Sequence, residues 1–261
     1  MKARGIWKLW FRQSRPFPRH ADSAWSWLPS RCAVCRDWPG DPLCESCVAR
    51  FAPVVPRCQR CALRVPAGMT VCGACLLQPP MLDLCLCATD YTWPWRDVIR
   101  QFKFHDQPAW AGPLAALMLS SPWVEDALEQ ADCVLPMPLS CERLAVRGYN
   151  QALLLARKLA PDKTGAHVLL RTRDTPAQST LPRHERLANL ADALAVDPLQ
   201  VEQVRHRRVL LVDDVMTSGA SLHAAAKALR HLGAAHVAAV VLARTPEDAT
   251  DHDETMEDVF Q

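Results

Sequence analysis

The 261-residue chain carries 30 Lys and Arg against 28 Asp and Glu, for a formal net charge of +2 at pH 7. That length suits one good-sized core plus a smaller module, and the near balance of charge supplies no global field for nucleic acid. No stretch approaches the ~20 apolar residues of a membrane span, so the sequence predicts no transmembrane segment.

The charge is unevenly spread, however. Residues 1–31 carry Lys2, Arg4, Lys8, Arg12, Arg15, Arg19 and Arg31 against Asp22 alone. Within them, Ile6-Trp7-Lys8-Leu9-Trp10-Phe11 falls short of the roughly 7–15-residue apolar segment of a secretory signal. This basic leader reads as a poorly ordered tail, with contact to a membrane surface or a nucleic acid as the alternative. Without an export signal the chain is expected in the cytoplasm, and the spacing of its twelve cysteines decides what they do.

Eight of the twelve form four C-x-x-C pairs: Cys32/Cys35, Cys44/Cys47, Cys58/Cys61 and Cys72/Cys75. Two thiolates three positions apart can bind one Zn²⁺ from a single tight turn, and two such turns complete a tetrahedral Cys₄ site. Pro39-Gly40-Asp41-Pro42 and Pro66-Ala67-Gly68 supply turns between the pairs. The segment has too few aliphatics for its own core, so metal must supply its folding free energy. The expectation is a module over 32–80 holding two structural Zn²⁺. Disulfides would need an oxidising compartment, and a thioredoxin-like pair would need a βαβ context. Sequential pairing gives a double zinc ribbon and alternate pairing a cross-braced module; the sequential form is favoured. Cys85, Cys87, Cys133 and Cys141 lie outside this pattern, with Cys85 and Cys87 on one face of a predicted strand as buried free thiols.

The main domain is expected over 84–245. Leu84 to Tyr91 predicts a strand. Trp95 to His105 predicts a helix with Val98, Ile99 and Phe102 at helical spacing, and a second helix covers 109–120. The next strand, Ala131 to Pro136, leads into Met137-Pro138-Leu139-Ser140-Cys141-Glu142-Arg143-Leu144-Ala145-Val146-Arg147-Gly148, with Arg143 and Arg147 four apart, and then into an apolar helix over 152–159. Strand, basic loop and helix describe an anion site at the carboxyl end of a strand, where open α/β sheets hold ligands. Residues 171–189 form a polar segment, long for a connection, which suits either a lid or a charged surface loop.

Val209 to Val212 is a continuous apolar run, as in a strand buried on both faces of a parallel sheet. Asp213 and Asp214 interrupt it. Thr217-Ser218-Gly219-Ala220-Ser221 is small and hydroxyl-rich, and His223 to Leu232 predicts an Ala-rich helix. A strand that turns through small residues into a helix gathers backbone N–H groups around one point, which suits a phosphate monoester. The acidic pair can accept hydrogen bonds from sugar hydroxyls or approach a divalent cation. The plainer alternative is a Ser-capped helix with the aspartates as turn residues, but an ordinary cap needs one such residue, not two acids and four small residues. Neither GxGxxG nor GxxxxGK is present. A last strand over 236–242 follows a C-capping Gly233, and residues 246–261 form an acidic tail. Alternating strands and helices predict an α/β fold with a mostly parallel sheet.

Val209 to Leu222 resembles the phosphoribosyl-pyrophosphate (PRPP) signature of type I phosphoribosyltransferases. PRPP bears a 5-phosphate at one end of its ribose and a diphosphate at the other, so it needs two anion sites, and this chain offers two. Four C-x-x-C pairs, Tyr91, Ile99-x-x-x-Lys103, Pro136-x-Pro138-Leu139, Arg147-Gly148-Tyr149-Asn150-Gln151, Thr175-x-x-Gln178, Arg186-x-x-Asn189 and Asp213-Asp214-Val215-Met216-Thr217-Ser218-Gly219 together resemble the ComF/GntX group. The similarity runs from Cys32 to Arg244.

That resemblance implies a type I phosphoribosyltransferase-like domain behind a small double zinc ribbon. It implies that Asp213 and Asp214 hold the ribose hydroxyls as the catalytic pair, and that Met216, Thr217, Ser218, Gly219, Ala220 and Ser221 form the run around the 5-phosphate. Arg143, Arg147 and Gly148 would belong to the pyrophosphate loop with Lys103 nearby, and Thr175 to Asn189 would cover the site. The implied ligands are PRPP with Mg²⁺, and a nitrogen nucleophile as acceptor. The departures are Ser218 where Thr is frequent, which keeps the hydroxyl, and Cys141 inside the loop. The alternative role is a non-enzymatic PRPP or nucleotide sensor, or an adaptor in DNA uptake that holds single-stranded DNA or a helicase. Arg57, Arg60, Arg64 and the basic leader motivate that alternative.

Overall fold

The computed structural model of the chain describes residues 30–172 and 194–247. The polar segment around 175–189, the basic leader up to residue 29 and the acidic tail from 248 lie outside the described residues.

Two short helices come first, α1 (Glu45–Phe51) and α2 (Gly73–Leu77), each starting directly after the first cysteine of a C-x-x-C pair. The domain behind them begins with β1 (Leu84–Asp90), α3 (Trp95–Phe104), α4 (Ala111–Leu119), α5 (Val124–Gln130) and β2 (Cys133–Pro136). There follow α6 (Cys141–Arg147), α7 (Gln151–Leu159), β3 (Leu169–Arg171) and β4 (Leu194–Val196). The last elements are β5 (Arg208–Met216), α8 (Ala220–His231) and β6 (His236–Arg244).

Four strands form one wholly parallel sheet in the order β1-β6-β5-β2, and β3 pairs with β4 in a separate antiparallel ribbon. The aliphatic runs of β5 and β6 explain why both lie in the middle. Val209 to Val212 and Val237 to Ala243 are buried throughout, since both faces of the sheet are covered. On one face Val209, Leu211, Ala239 and Val241 pack with Leu222, Ala225 and Leu229 of α8, and Cys85 and Cys87 join them as the free thiols expected there. On the other, Leu210, Val212, Val240 and Leu242 pack with Ile99 and Phe102 of α3, Leu117 of α4 and Leu155 of α7.

The two cysteine turns take opposite faces. Leu43 and Val48 of the first join the α3 side, where Trp95 Nε1 donates to the Phe51 carbonyl at 2.7 Å. Cys58, Cys61, Ala62 and Cys75 of the second join the α8 side. The second turn also docks along β1, because Cys85 N donates to the Gln59 carbonyl at 2.7 Å.

Two expectations need correction. β5 does not stop at the aspartates: the ladder to β6 continues through Asp213↔Val241 and Val215↔Ala243, because a backbone at the end of a sheet pairs whatever its side chains carry. The basic loop after β2 is helical. Ser140 Oγ caps α6 by accepting from Arg143 N at 3.2 Å, and Gly148 ends it in the left-handed region at φ 71°. No residue of α6 is buried, so it left no apolar periodicity to read. Of the arginines suggested as a DNA face, Arg57 and Arg60 are tied into the fold, while the Arg64 side chain stays 58% exposed. Arg57 Nη1 donates to Asp90 Oδ1 at 2.8 Å, Arg64 also pairs with Asp90, and Arg60 Nη1 donates to the Leu82 carbonyl at 2.7 Å. Among the described residues no helix is long and apolar enough to cross a membrane.

Candidate functional site

The cysteines form two groups of four, Cys32, Cys35, Cys44 and Cys47 in one and Cys58, Cys61, Cys72 and Cys75 in the other, with the sulfurs of each group within 4.8 Å of one another. The grouping is sequential, as favoured. Tetrahedral zinc with Zn–S bonds near 2.3 Å places its sulfurs about 3.8 Å apart. Cys35 and Cys44 Sγ lie 3.6 Å apart, as do Cys61 and Cys72 Sγ. The two groups repeat each other in detail. Cys32 Sγ accepts from Val34 N at 3.4 Å and Cys44 N at 3.5 Å, and Cys58 Sγ accepts from Arg60 N at 3.4 Å and Cys72 N at 3.3 Å. Burial raises both thiol pKa values, but these N–H donors outweigh it and bring Cys32 down to about 6 and Cys58 to about 7. The residue after each turn, Arg36 at φ 68° and Ala62 at φ 59°, is left-handed. Four soft sulfurs in this arrangement fit structural zinc.

The second site lies at the carboxyl ends of β2 and β5. Pro136 is paired with Val212, and Met137 N donates to the Val212 carbonyl at 2.9 Å. The segment leaving β2 therefore departs beside Asp213. Asn150 Nδ2 donates to the Met137 carbonyl at 2.9 Å while its Oδ1 caps α7 through Leu153 N, which folds Arg147 and Gly148 back toward the strand ends.

Alternation along β5 turns Asp214 to the α3 side, where Lys103 Nζ lies 3.2 Å from Oδ1. Asp214 Oδ1 also accepts from Val215 N at 2.6 Å, and Asp213 Oδ1 accepts from Asp214 N at 2.9 Å. The Asp213 pKa is raised to about 7. Burial is the main cause and the neighbouring Asp214 charge the second, with Lys103 and Arg147 pulling the other way. The pair thus sets one carboxylate against a lysine, Asp214, beside one whose pKa is raised to about 7, Asp213.

The turn behind them is built for a tight backbone. Gly219 sits at φ 79°, and a Cβ there would lie 2.4 Å from Met216 Cε. It delivers the chain into α8 with Ala220 N donating to Ser218 Oγ at 3.3 Å. Thr217 is exposed, and Ser218 and Ser221 are half-buried. These small residues and the start of α8 can receive a phosphate.

Consecutive residues at the end of α3 reach three parts of the site. The Phe102 carbonyl accepts from Tyr149 Oη, Lys103 pairs with Asp214, and Arg147 Cζ lies 4.8 Å from the centre of the Phe104 ring. Arg143 is exposed on α6, as is Cys141. Sequence reasoning quoted Gln151 only as part of a motif, yet it is 1% exposed. Its Oε1 accepts from Arg147 Nη1 at 3.5 Å, and its Nε2 has no hydrogen-bond partner among the described residues. A buried amide nitrogen beside an arginine could donate to a ligand. A polar cavity of about 320 Å³ lies instead at the amino ends of β2 and β5, lined by Asp132, Cys133, Lys163, Gln203 and Arg207. The strand-end cleft carries the paired acids and the hydroxyl-rich turn, and ligands of open parallel sheets bind at that end.

Residues 145–261 match the family described as the phosphoribosyl transferase domain. Competence protein F of Haemophilus influenzae is 33% identical over 177 residues, which cover 64% of this chain and 75% of that protein. The DNA utilization protein YhgH of Escherichia coli is 30% identical over 174 residues, 64% of this chain and 75% of the relative. Competence protein ComFC of Bacillus subtilis is 36% identical over 113 residues, 43% of this chain and 44% of the relative.

Proposed function

We propose, from the premise that this chain belongs to the competence protein F (ComF) family of phosphoribosyltransferase-like proteins, that it binds PRPP and transfers phosphoribose to a nitrogen nucleophile in bacterial DNA uptake. The observation that carries the proposal is the Pro136–Val212 pairing, which brings the arginine-bearing segment and the phosphate turn to adjacent strand ends.

The charges define the roles. The bond from C1 to the diphosphate oxygen breaks while a C1–N bond forms, so the ribose gains positive character as a polyanion departs. Asp213 and Asp214 would accept from the ribose hydroxyls and favour that positive ring. Met216 to Ser221 would surround the 5-phosphate. Arg143, Arg147 and the Gly148 backbone would face the diphosphate, with Lys103 paired to Asp214 beneath the ribose. Among the described residues the site supplies two carboxylates for Mg²⁺, and PRPP oxygens would complete its shell; when bound, the ion would neutralise the leaving group. No covalent nucleophile is required, and positioning does most of the work.

Calorimetric titration of the full chain with PRPP, with and without Mg²⁺, tests the first half. Release of diphosphate across a panel of bases and amines tests the second. Saturable binding that Asp213→Asn weakens is the expected result; no binding with both zinc ions in place would overturn the proposal.

A further inference from the structure

One side chain joins the strand-end cleft to the second cysteine centre. Arg244 closes β6 and is 5% exposed. Its Nε donates to the carbonyl of Cys61 at 2.9 Å. Its Nη1 donates to the carbonyls of Met216 at 3.0 Å, Thr245 at 2.8 Å and Thr217. The Met216 carbonyl also accepts from Thr245 N at 3.1 Å, and Cys85 Sγ reaches Met216 Sδ at 3.7 Å. A rigid, planar fork therefore holds a metal-binding turn on one edge and the entry to the phosphate turn on the other.

The Cys61 carbonyl is where it is because the turn is closed. Ala62 N donates to the Cys58 carbonyl at 2.8 Å, and an ion bound by the Cys58 and Cys61 sulfurs would fix the rest. A guanidinium this deep is tolerated only while its donors are satisfied. Zinc held by four thiolates is a net anion, which adds a favourable charge on the same side. Among the described residues, no comparable buried side chain links the first centre to the turn at 216–221. It reaches the domain through α1 and Trp95, at the start of α3, about 12 Å along that helix from Lys103.

We propose that Arg244 is a positioning residue that transmits occupancy of the Cys58, Cys61, Cys72 and Cys75 centre to the turn at 216–221, so that PRPP affinity depends on the second zinc and not on the first. The affinity half rests on the proposed function; the coupling of metal to turn does not.

The test uses the full chain with Cys72→Ser, Cys35→Ser and Arg244→Lys, measuring zinc content, amide exchange at 216–221 without ligand, and PRPP affinity. Cys72→Ser, having lost one zinc, should expose the turn amides and weaken PRPP binding about ten-fold, the usual scale of coupling between sites. Cys35→Ser should leave the turn and the affinity unchanged. Arg244→Lys should keep both zinc ions yet loosen the turn, since an ammonium cannot span both edges. Should Cys72→Ser lose protection throughout β5 and β6, Arg244→Lys decides, and an unchanged turn overturns the proposal. An intact turn in zinc-depleted Cys72→Ser, or equal loosening in Cys35→Ser, also overturns it. If wild-type chain fails to bind PRPP, the exchange arms still decide the coupling, and only the proposed function falls.

Discussion

Lys103 Nζ lies 3.2 Å from Asp214 Oδ1, with the two side chains only 12% and 11% exposed. One charge comes from the end of α3 and the other from the end of β5, so the pair ties a helix to the strand that carries the candidate site. Lys103→Met strands a carboxylate in a nearly dry place, and the expected loss of stability is about 3 kcal/mol. Lys103→Met with Asp214→Asn should recover most of it. Denaturant titration reads both, and a loss under about 1 kcal/mol would put the pair with solvated surface bridges.

The raised Asp213 pKa has a signed consequence. Its folded value of about 7 exceeds the ordinary 3.8, so the folded state holds an extra proton between them. The stabilising contribution is therefore present at low pH and lost as pH rises through 7. The melting temperature of wild type, measured relative to Asp213→Asn, should fall between pH 5.5 and 7.5. Binding of PRPP with Mg²⁺ favours the ionised carboxylate, so affinity should rise over the same interval and binding near pH 7 should release a proton. Calorimetry in buffers of different ionisation enthalpy measures that release.

Arg143 allows affinity to be altered without disturbing the fold, since it is exposed on a helix that buries nothing. Arg143→Ala should change stability by no more than about 0.5 kcal/mol. PRPP affinity should fall and lose part of its salt dependence, read by titration at two ionic strengths.

Gly219→Ala imposes a left-handed conformation on a residue with a Cβ, beside Met216 Cε. The expected cost is about 1–2 kcal/mol from the left-handed backbone, together with weaker PRPP binding, because the Met216 end that packs against the turn must move aside. Thermal melts and the PRPP titration report the two effects separately.

Much of this was legible in the sequence because it was written in local patterns. Paired cysteines at fixed spacing announced the two centres, and the run from Val209 to Ser221 announced strand, acids and turn. What stayed hidden was long-range or solvated. Arg244 is an isolated arginine after an aliphatic strand, and nothing local says that its fork meets Cys61 and Met216. Asp90 likewise shows nothing of the two arginines it collects. Helix α6 escaped notice because no face of it is apolar against a core, although Ser140 and Gly148 were valid start and stop signals.

The hydrogen bond from Cys85 N to the Gln59 carbonyl falls on the outer side of β1, the strand at one border of the sheet. The opposite border is screened where Gly165 N meets the Val134 carbonyl at 2.9 Å. A border strand left bare is a template for another chain. Chelating the metal would release the Cys58–Cys61 turn and unmask β1, so a zinc-stripped preparation should self-associate through that seam before its helices melt.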